Sequence, residues 1–179
     1  NCRRTTGKIY QRCRKMKLTD SSCIVCVFTE INRSFILMDW MKRGYQIVIT
    51  EQIRKELQEN EKTNKAVQPE IEKGNIKINN LITEQELISF RTRYPVLGLG
   101  ESSVILTALK LQKEKKRYYA ILDDGNARKI ASKLQINLTG TYGLLKTLKE
   151  KGHINEQTFN QCKEEMQKSK FRIDFNKVK

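Results

Sequence analysis

Apolar positions along this chain change period repeatedly: short strand-like runs alternate with longer stretches in which apolar residues recur every three to four positions. Lys17-Leu18-Thr19 opens a first strand ending at Asp20, and the apolar run 22–31 with Phe35-Ile36-Leu37-Met38, Trp40 and Met41 predicts one or two buried helices stopped by Gly44. Tyr45 to Thr50 reads as a buried strand, with Thr50 as N-cap of a charged helix over 51–59 in which Ile53 and Leu57 share a face. The polar stretch 60–75 shows no clear period, and Ile76-Lys77-Ile78 suggests a short edge strand. Thr83-Glu84-Gln85-Glu86 has the form of a capping box opening a helix to about residue 93, which Pro95 and Gly98 end.

From Gly100 to Leu111 the pattern is strongly helical, with Glu101 in the first turn and Lys113 to Lys116 closing it. Arg117 to Leu122 is the clearest central strand, ending in Asp123-Asp124-Gly125; Ala127, Ile130, Ala131 and Leu134 then make one helical stripe. A short strand over 136–139, a helix over 142–151 stopped by Gly152, a last helix capped by Asn155 to about residue 168 and an edge strand at Phe171-Arg172-Ile173 complete the reading. Strands alternating with helices predict an α/β domain around a mostly parallel sheet. There is no internal repeat, linker or heptad run.

Charge adds a partner class. Lys and Arg number 35 against 20 Asp and Glu, a net +15 that favours polyanions, nucleic acid first. Part of the excess is local: Arg3, Arg4, Lys8, Arg12, Arg14 and Lys15 stand together without an acid, so residues 1–15 read as a basic N-terminal extension or artefact and residues 16–179 as one domain. No run of about 20 apolar residues could span a bilayer, which argues against a membrane protein. Five cysteines without a secretory pattern suggest free thiols and a cytoplasmic location. Cys23 and Cys26 form a CxxC in an apolar run without a second pair, so buried packing is the stronger reading than a redox or zinc half-site. His153 is the only histidine, flanked by Gly152 in a loop, which removes His-based triads and most zinc sites.

The candidate chemistry lies in acids. Asp20 ends the first strand, Glu101 opens a helix and Asp123 ends a strand, and in open α/β sheets the carboxyl ends of strands line the ligand crevice. Carboxylates gathered there repel by about 4 kcal/mol per close pair at an effective dielectric near 20, so a cation is needed to hold them. All-oxygen ligands suggest Mg²⁺ or Mn²⁺, which activates water against a phosphodiester. Taken singly, Asp20 and Asp123 are better explained as N-caps and Glu101 as a complement to a helix dipole; only the combination favours a nuclease. Gly98-Leu99-Gly100 is a weak dinucleotide-binding signal, lacking a third glycine, and no P-loop is present.

Asp20-Ser21-Ser22, the segment Ile47 to Glu56-Leu57, Gly100-Glu101-Ser102-Ser103 and Ile121-Leu122-Asp123-Asp124 resemble, in order, the acidic motifs of the PIN-domain family. Ala127-Arg128 followed by Thr139-Gly140-Thr141-Tyr142-Gly143 is similar to a branch of short prokaryotic PIN proteins. The resemblance covers about residues 16–175. It implies a three-layer α/β/α sandwich and a divalent-metal-dependent endoribonuclease, often the toxin of a toxin–antitoxin pair. Carried over by position, Asp20, Glu101 and Asp123 or Asp124 would be metal ligands, with Asp123 preferred, and Glu56 a further ligand or water-positioning acid. Ser22 would orient a ligand or water, and Thr141, with Thr139, would support the site or touch a phosphate. Arg128, Lys129 and Lys133 are candidates for nucleic-acid contacts. RNA, an acidic antitoxin and a second copy are the partners implied. Glu101 stands where aspartate is common, so the alternative is a catalytically degenerate PIN-fold module that binds RNA or a partner without cutting.

Overall fold

The computed structural model describes residues 15–169. The edge strand expected at 171–173 and nearly all of the basic segment 1–15 lie outside them. A five-stranded, all-parallel sheet forms the centre, in the spatial order β3 (Ile76–Asn79), β2 (Tyr45–Thr50), β1 (Lys15–Thr19), β4 (Tyr118–Ile121), β5 (Leu138–Thr139). From β1 the chain builds outward through β2 and β3 on one side, then crosses to build β4 and β5 on the other. The β1/β4 boundary is therefore the point where strand order reverses, the place at the carboxyl ends where open α/β sheets bind ligands.

Nine α-helices connect and cover the sheet among the described residues: α1 (Ser21–Val25), α2 (Phe35–Lys42), α3 (Glu51–Glu59), α4 (Glu61–Glu72), α5 (Glu84–Arg93), α6 (Leu99–Lys113), α7 (Gly125–Lys133), α8 (Thr141–Glu150) and α9 (Glu156–Lys168). This is an α/β/α architecture. The apolar helix α6 packs on β1, β2 and β4, while α2 packs on β2 and against α8. Leu18, Ile47, Ile49, Ile105, Ala120 and Ile121 are fully enclosed between them. No single helix among the described residues is long and apolar enough to cross a membrane.

Short strand-to-helix turns follow from capping. The oxygen of Asp20 accepts from the Cys23 N–H (3.0 Å), that of Thr50 from Ile53 (3.2 Å) and that of Asp124 from Ala127 (2.8 Å), so each chain turns into a helix without a loop. The Thr83–Glu86 capping box forms in full at the start of α5. Two features differ from the pattern-based reading. The run 22–31 starts as α1 but widens into a π-helical segment (Cys26–Glu30), where the Ile31 N–H reaches the Cys26 carbonyl at 3.0 Å. And the stretch 60–75 is helix α4, capped by Asn60 on Thr63 and anchored by buried Thr63 and Val67. Its sparse apolar residues and internal Pro69 hide it; the helix ends at Gly74, whose φ of +73° suits glycine.

Candidate active site

Thr19 of β1 lies in register with Ile121 of β4, so Asp20 and the residues after Ile121 leave the sheet side by side. The Asp20 N–H donates to the Ile121 carbonyl (3.2 Å), and the Asp123 N–H donates back to Asp20 Oδ2 (3.3 Å). Asp20 is 2% exposed, with Oδ1 taken by its capping bond. Asp123 is held from the opposite side: Thr141 gives its N–H to Oδ1 (2.8 Å) and its hydroxyl to Oδ2 (2.5 Å). Gly140 permits this approach, since a Cβ there would stand 2.7 Å from Asp123 Oδ1 and 3.0 Å from Arg128 Nη1. Burial, reinforced by the neighbouring charges of Asp123 and Glu101, pushes the Asp20 carboxyl well above the usual range. Burial raises Asp123 as well, with the Thr141 bonds and the Arg128 charge opposing.

Two glutamates arrive from helices. Glu56 of α3 is half-buried and its Oε2 accepts from Ser21 Oγ at 2.8 Å. Burial raises its pKa and the Glu101 charge adds to the rise, while the Ser21 bond opposes it. The start of α6 is pinned to the end of β2: Ser103 Oγ donates to the Gly100 carbonyl (2.7 Å), leaving the Thr50 hydroxyl to donate to Ser103 over 2.6 Å. That pin presses Gly100 against Glu56, where a Cβ at residue 100 would lie 2.5 Å from both carboxylate oxygens. Glu101, in the first turn of α6, is half-buried, and its charge reaches both Asp20 and Glu56.

The structure thus brings Asp20, Glu56, Glu101 and Asp123 to one electrostatic neighbourhood, and separates other candidates from it. Asp124, read with Asp123 as a metal ligand, is exposed and spends Oδ1 on the Asn126 and Ala127 N–H groups (both 2.8 Å). Successive side chains leaving a strand point to opposite sides, and Asp124 takes the capping side. Ser21, not Ser22, bonds an acid. Thr141 commits its hydroxyl to Asp123, so it supports the site and is not free for a phosphate. Arg128 turns inward, donating to the Leu122 carbonyl (2.8 Å), whereas Lys129 and Lys133 remain exposed on α7.

Residue-type reasoning placed Cys23 in buried packing but not beside the acids. Its fully buried thiol lies beside Asp123, Asp20, Thr141 and Thr19, and burial followed by the two aspartate charges pushes it far up. Cys26 is buried too, so the CxxC is packing. His153 sits in the turn after α8. Ser21 and the close approaches at Gly100 and Gly140 had no signal apart from lying inside the acidic motifs.

The donor set suits a hard divalent cation. Each oxygen of Asp20 and Asp123 accepts one bond and keeps a lone pair. Burial raises the Asp20, Asp123 and Glu56 carboxyls, and neighbouring acids add to the rise at Asp20 and Glu56. Among the described residues no three His, Cys, Asp or Glu side chains are grouped to hold an ion. Mg²⁺ seldom needs such a cage: it is commonly held by one or two carboxylates, with waters and phosphate oxygens filling an octahedron.

The fold and the acidic crevice agree with the comparison to known families. The family model DUF3368, a PIN domain, matches residues 16–179. The chain belongs to the PIN-domain family. Among solved structures it is similar to a PilT N-terminus domain protein from the hyperthermophilic archaeon Sulfolobus solfataricus P2, at 15% identity and a TM-score of 0.43, over 74% of this chain and 92% of that one. No curated protein matches.

Proposed function

We propose that the chain is a divalent-metal-dependent endoribonuclease. One observation carries this reading: buried Asp20 and part-buried Asp123, which follow neighbouring strands, are joined through the Asp123 N–H at the sheet's reversal point, with the Glu101 charge acting on both Asp20 and Glu56. PIN domains are generally nucleases. Asp20 and Asp123 would hold Mg²⁺ or Mn²⁺, with Glu101 within electrostatic reach. Bound there, the cation supplies charge neutralisation and a water of lowered pKa.

The chain's own groups do the rest. Thr141 fixes the Asp123 carboxylate with two bonds while the Arg128 charge acts on it, and the Cys23 and Asp123 N–H groups fix that of Asp20, so neither reorients when phosphate arrives. Glu56, steadied by Ser21 and raised toward neutrality, takes up or releases a proton at the attacking or leaving oxygen. Lys129 and Lys133 offer phosphate contacts on the exposed face of α7. As a toxin of a toxin–antitoxin pair, the protein would be silenced by an acidic partner drawn to its net +15.

Cleavage of single-stranded RNA in Mg²⁺ or Mn²⁺, compared among wild type, Asp20→Asn and Glu101→Gln, tests the reading; equal cleavage by folded variants would sink it. A second reading has support in the same geometry, because among the described residues no three acids close on one point: a module that binds RNA or a partner without cutting. Tight RNA binding without metal-dependent cleavage would select it.

A further inference from the structure

Lys17, three residues before Asp20 and about 10 Å from it along β1, is 5% exposed and lies in register with Tyr119 of β4. Its ammonium stands 4.2 Å from the Trp40 ring centroid, 4.7 Å from Tyr119 and 4.8 Å from Tyr45, a cage of three rings from α2, β4 and β2. Trp40 and Tyr45 meet edge to face at 5.2 Å, fixing one wall. Two more lysines converge: Lys151 Nζ lies 5.6 Å from the Trp40 centroid and Lys15 Nζ 5.6 Å from that of Tyr45.

Aromatic faces attract a cation but accept few of its hydrogen bonds. Among the described residues no carboxylate pairs with Lys15, Lys17 or Lys151, and the buried Trp40 Nε1 has no partner. Burial, and then the charges of Lys151 and Lys15, lower the Lys17 pKa to about 8. A nearly buried ammonium without an acceptor, an orphaned indole N–H in the same wall and two further ammonium groups make an unfilled demand for negative charge. A monocarboxylate would answer one charge of three; a dianion answers more.

We propose that this lysine-filled aromatic cage is a binding site for a dianionic phosphate group, held by Lys15, Lys17 and Lys151. Tyr119, the cage ring that is 44% exposed, offers its outer edge and face as a surface on which the base of a mononucleotide would stack. The ligand is thus either free phosphate or the terminal phosphate of a nucleotide.

Trp40 is the only tryptophan, so its emission reports this cage alone. The full chain is titrated with inorganic phosphate, and separately with uridine 5′-monophosphate, at constant ionic strength without divalent metal. Calorimetry is run in parallel. Saturable binding that weakens about tenfold or more in Lys17→Met, and several-fold in Lys151→Ala, is expected for the loss of charge-assisted contacts. Equal affinity for both ligands identifies free phosphate; tighter mononucleotide binding that Tyr119→Ala returns to the phosphate value identifies a nucleotide. Absence of saturation, or unchanged affinity in Lys151→Ala, an exposed residue whose replacement spares the fold, overturns the proposal.

Discussion

The Asp123 N–H donates to Asp20 Oδ2 over 3.3 Å, so the peptide of one acidic residue fastens the side chain of the other across the β1/β4 boundary. The bond holds the two carboxylates near each other whatever their charge. Burial raises both pKa values, and at Asp20 the Asp123 charge adds to the rise.

Stability without metal therefore depends on pH in a definite sense. Asp20, Asp123 and Glu56 all titrate higher folded than unfolded. The folded state holds more protons between the two values, so their contribution is present in acid and lost as pH rises through the raised pKa. In chelator, the thermal midpoint of wild type should fall relative to Asp20→Asn as pH rises above about 4, the unfolded carboxylate range. Mg²⁺ or Mn²⁺ should recover the difference at the higher pH and do little for the variant. Parallel melting curves for the two proteins would refute the raised titration of Asp20.

Thr141→Val removes the hydroxyl bonded to Asp123 Oδ2 while keeping the backbone N–H bond and the side-chain shape. Metal affinity or RNA cleavage should drop about 10–100-fold, the usual cost of losing such a support, and Thr141→Ser should restore most of it. Isothermal metal titration alongside turnover checks this. If serine is as poor as valine, the hydroxyl is not what matters.

Gly100→Ala places a methyl against the Glu56 carboxylate. That carboxylate ends a flexible side chain, so the fold survives and Glu56 moves. Activity should fall by the factor seen for Glu56→Ala, and the double variant should be little worse than either single one. Fully additive losses would mean that Gly100 acts through something other than Glu56.

Lys129→Gln and Lys133→Gln leave the acidic crevice intact, because both side chains are exposed on α7. Each should weaken RNA binding about equally across sequences and lower the slope of log affinity against log salt by about 0.7. Binding measured across a salt series decides; an unchanged slope removes α7 from the RNA path.

The succession of strands and helices and the acids at strand ends were legible because they follow from local pattern: the apolar runs at 45–50 and 117–122, the capping oxygens of Asp20 and Thr50, the capping box at Thr83. What escaped was tertiary. Helix α4 is held by few apolar contacts and carries Pro69, so its period is faint. The choice between Asp123 and Asp124 rests on the direction in which each leaves β4, which spacing does not reveal. Lys17 reads in sequence as an ordinary solvated strand position, and only the arrival of rings from three distant elements encloses it.

Asp20 starts a helix as well as lining the crevice, and this narrows the ways in which evolution can silence the protein. Drift to alanine or valine forfeits two buried amide partners and threatens the whole chain; drift to asparagine forfeits one. Descendants that abandoned hydrolysis yet stayed folded would carry asparagine at this place more often than any other replacement.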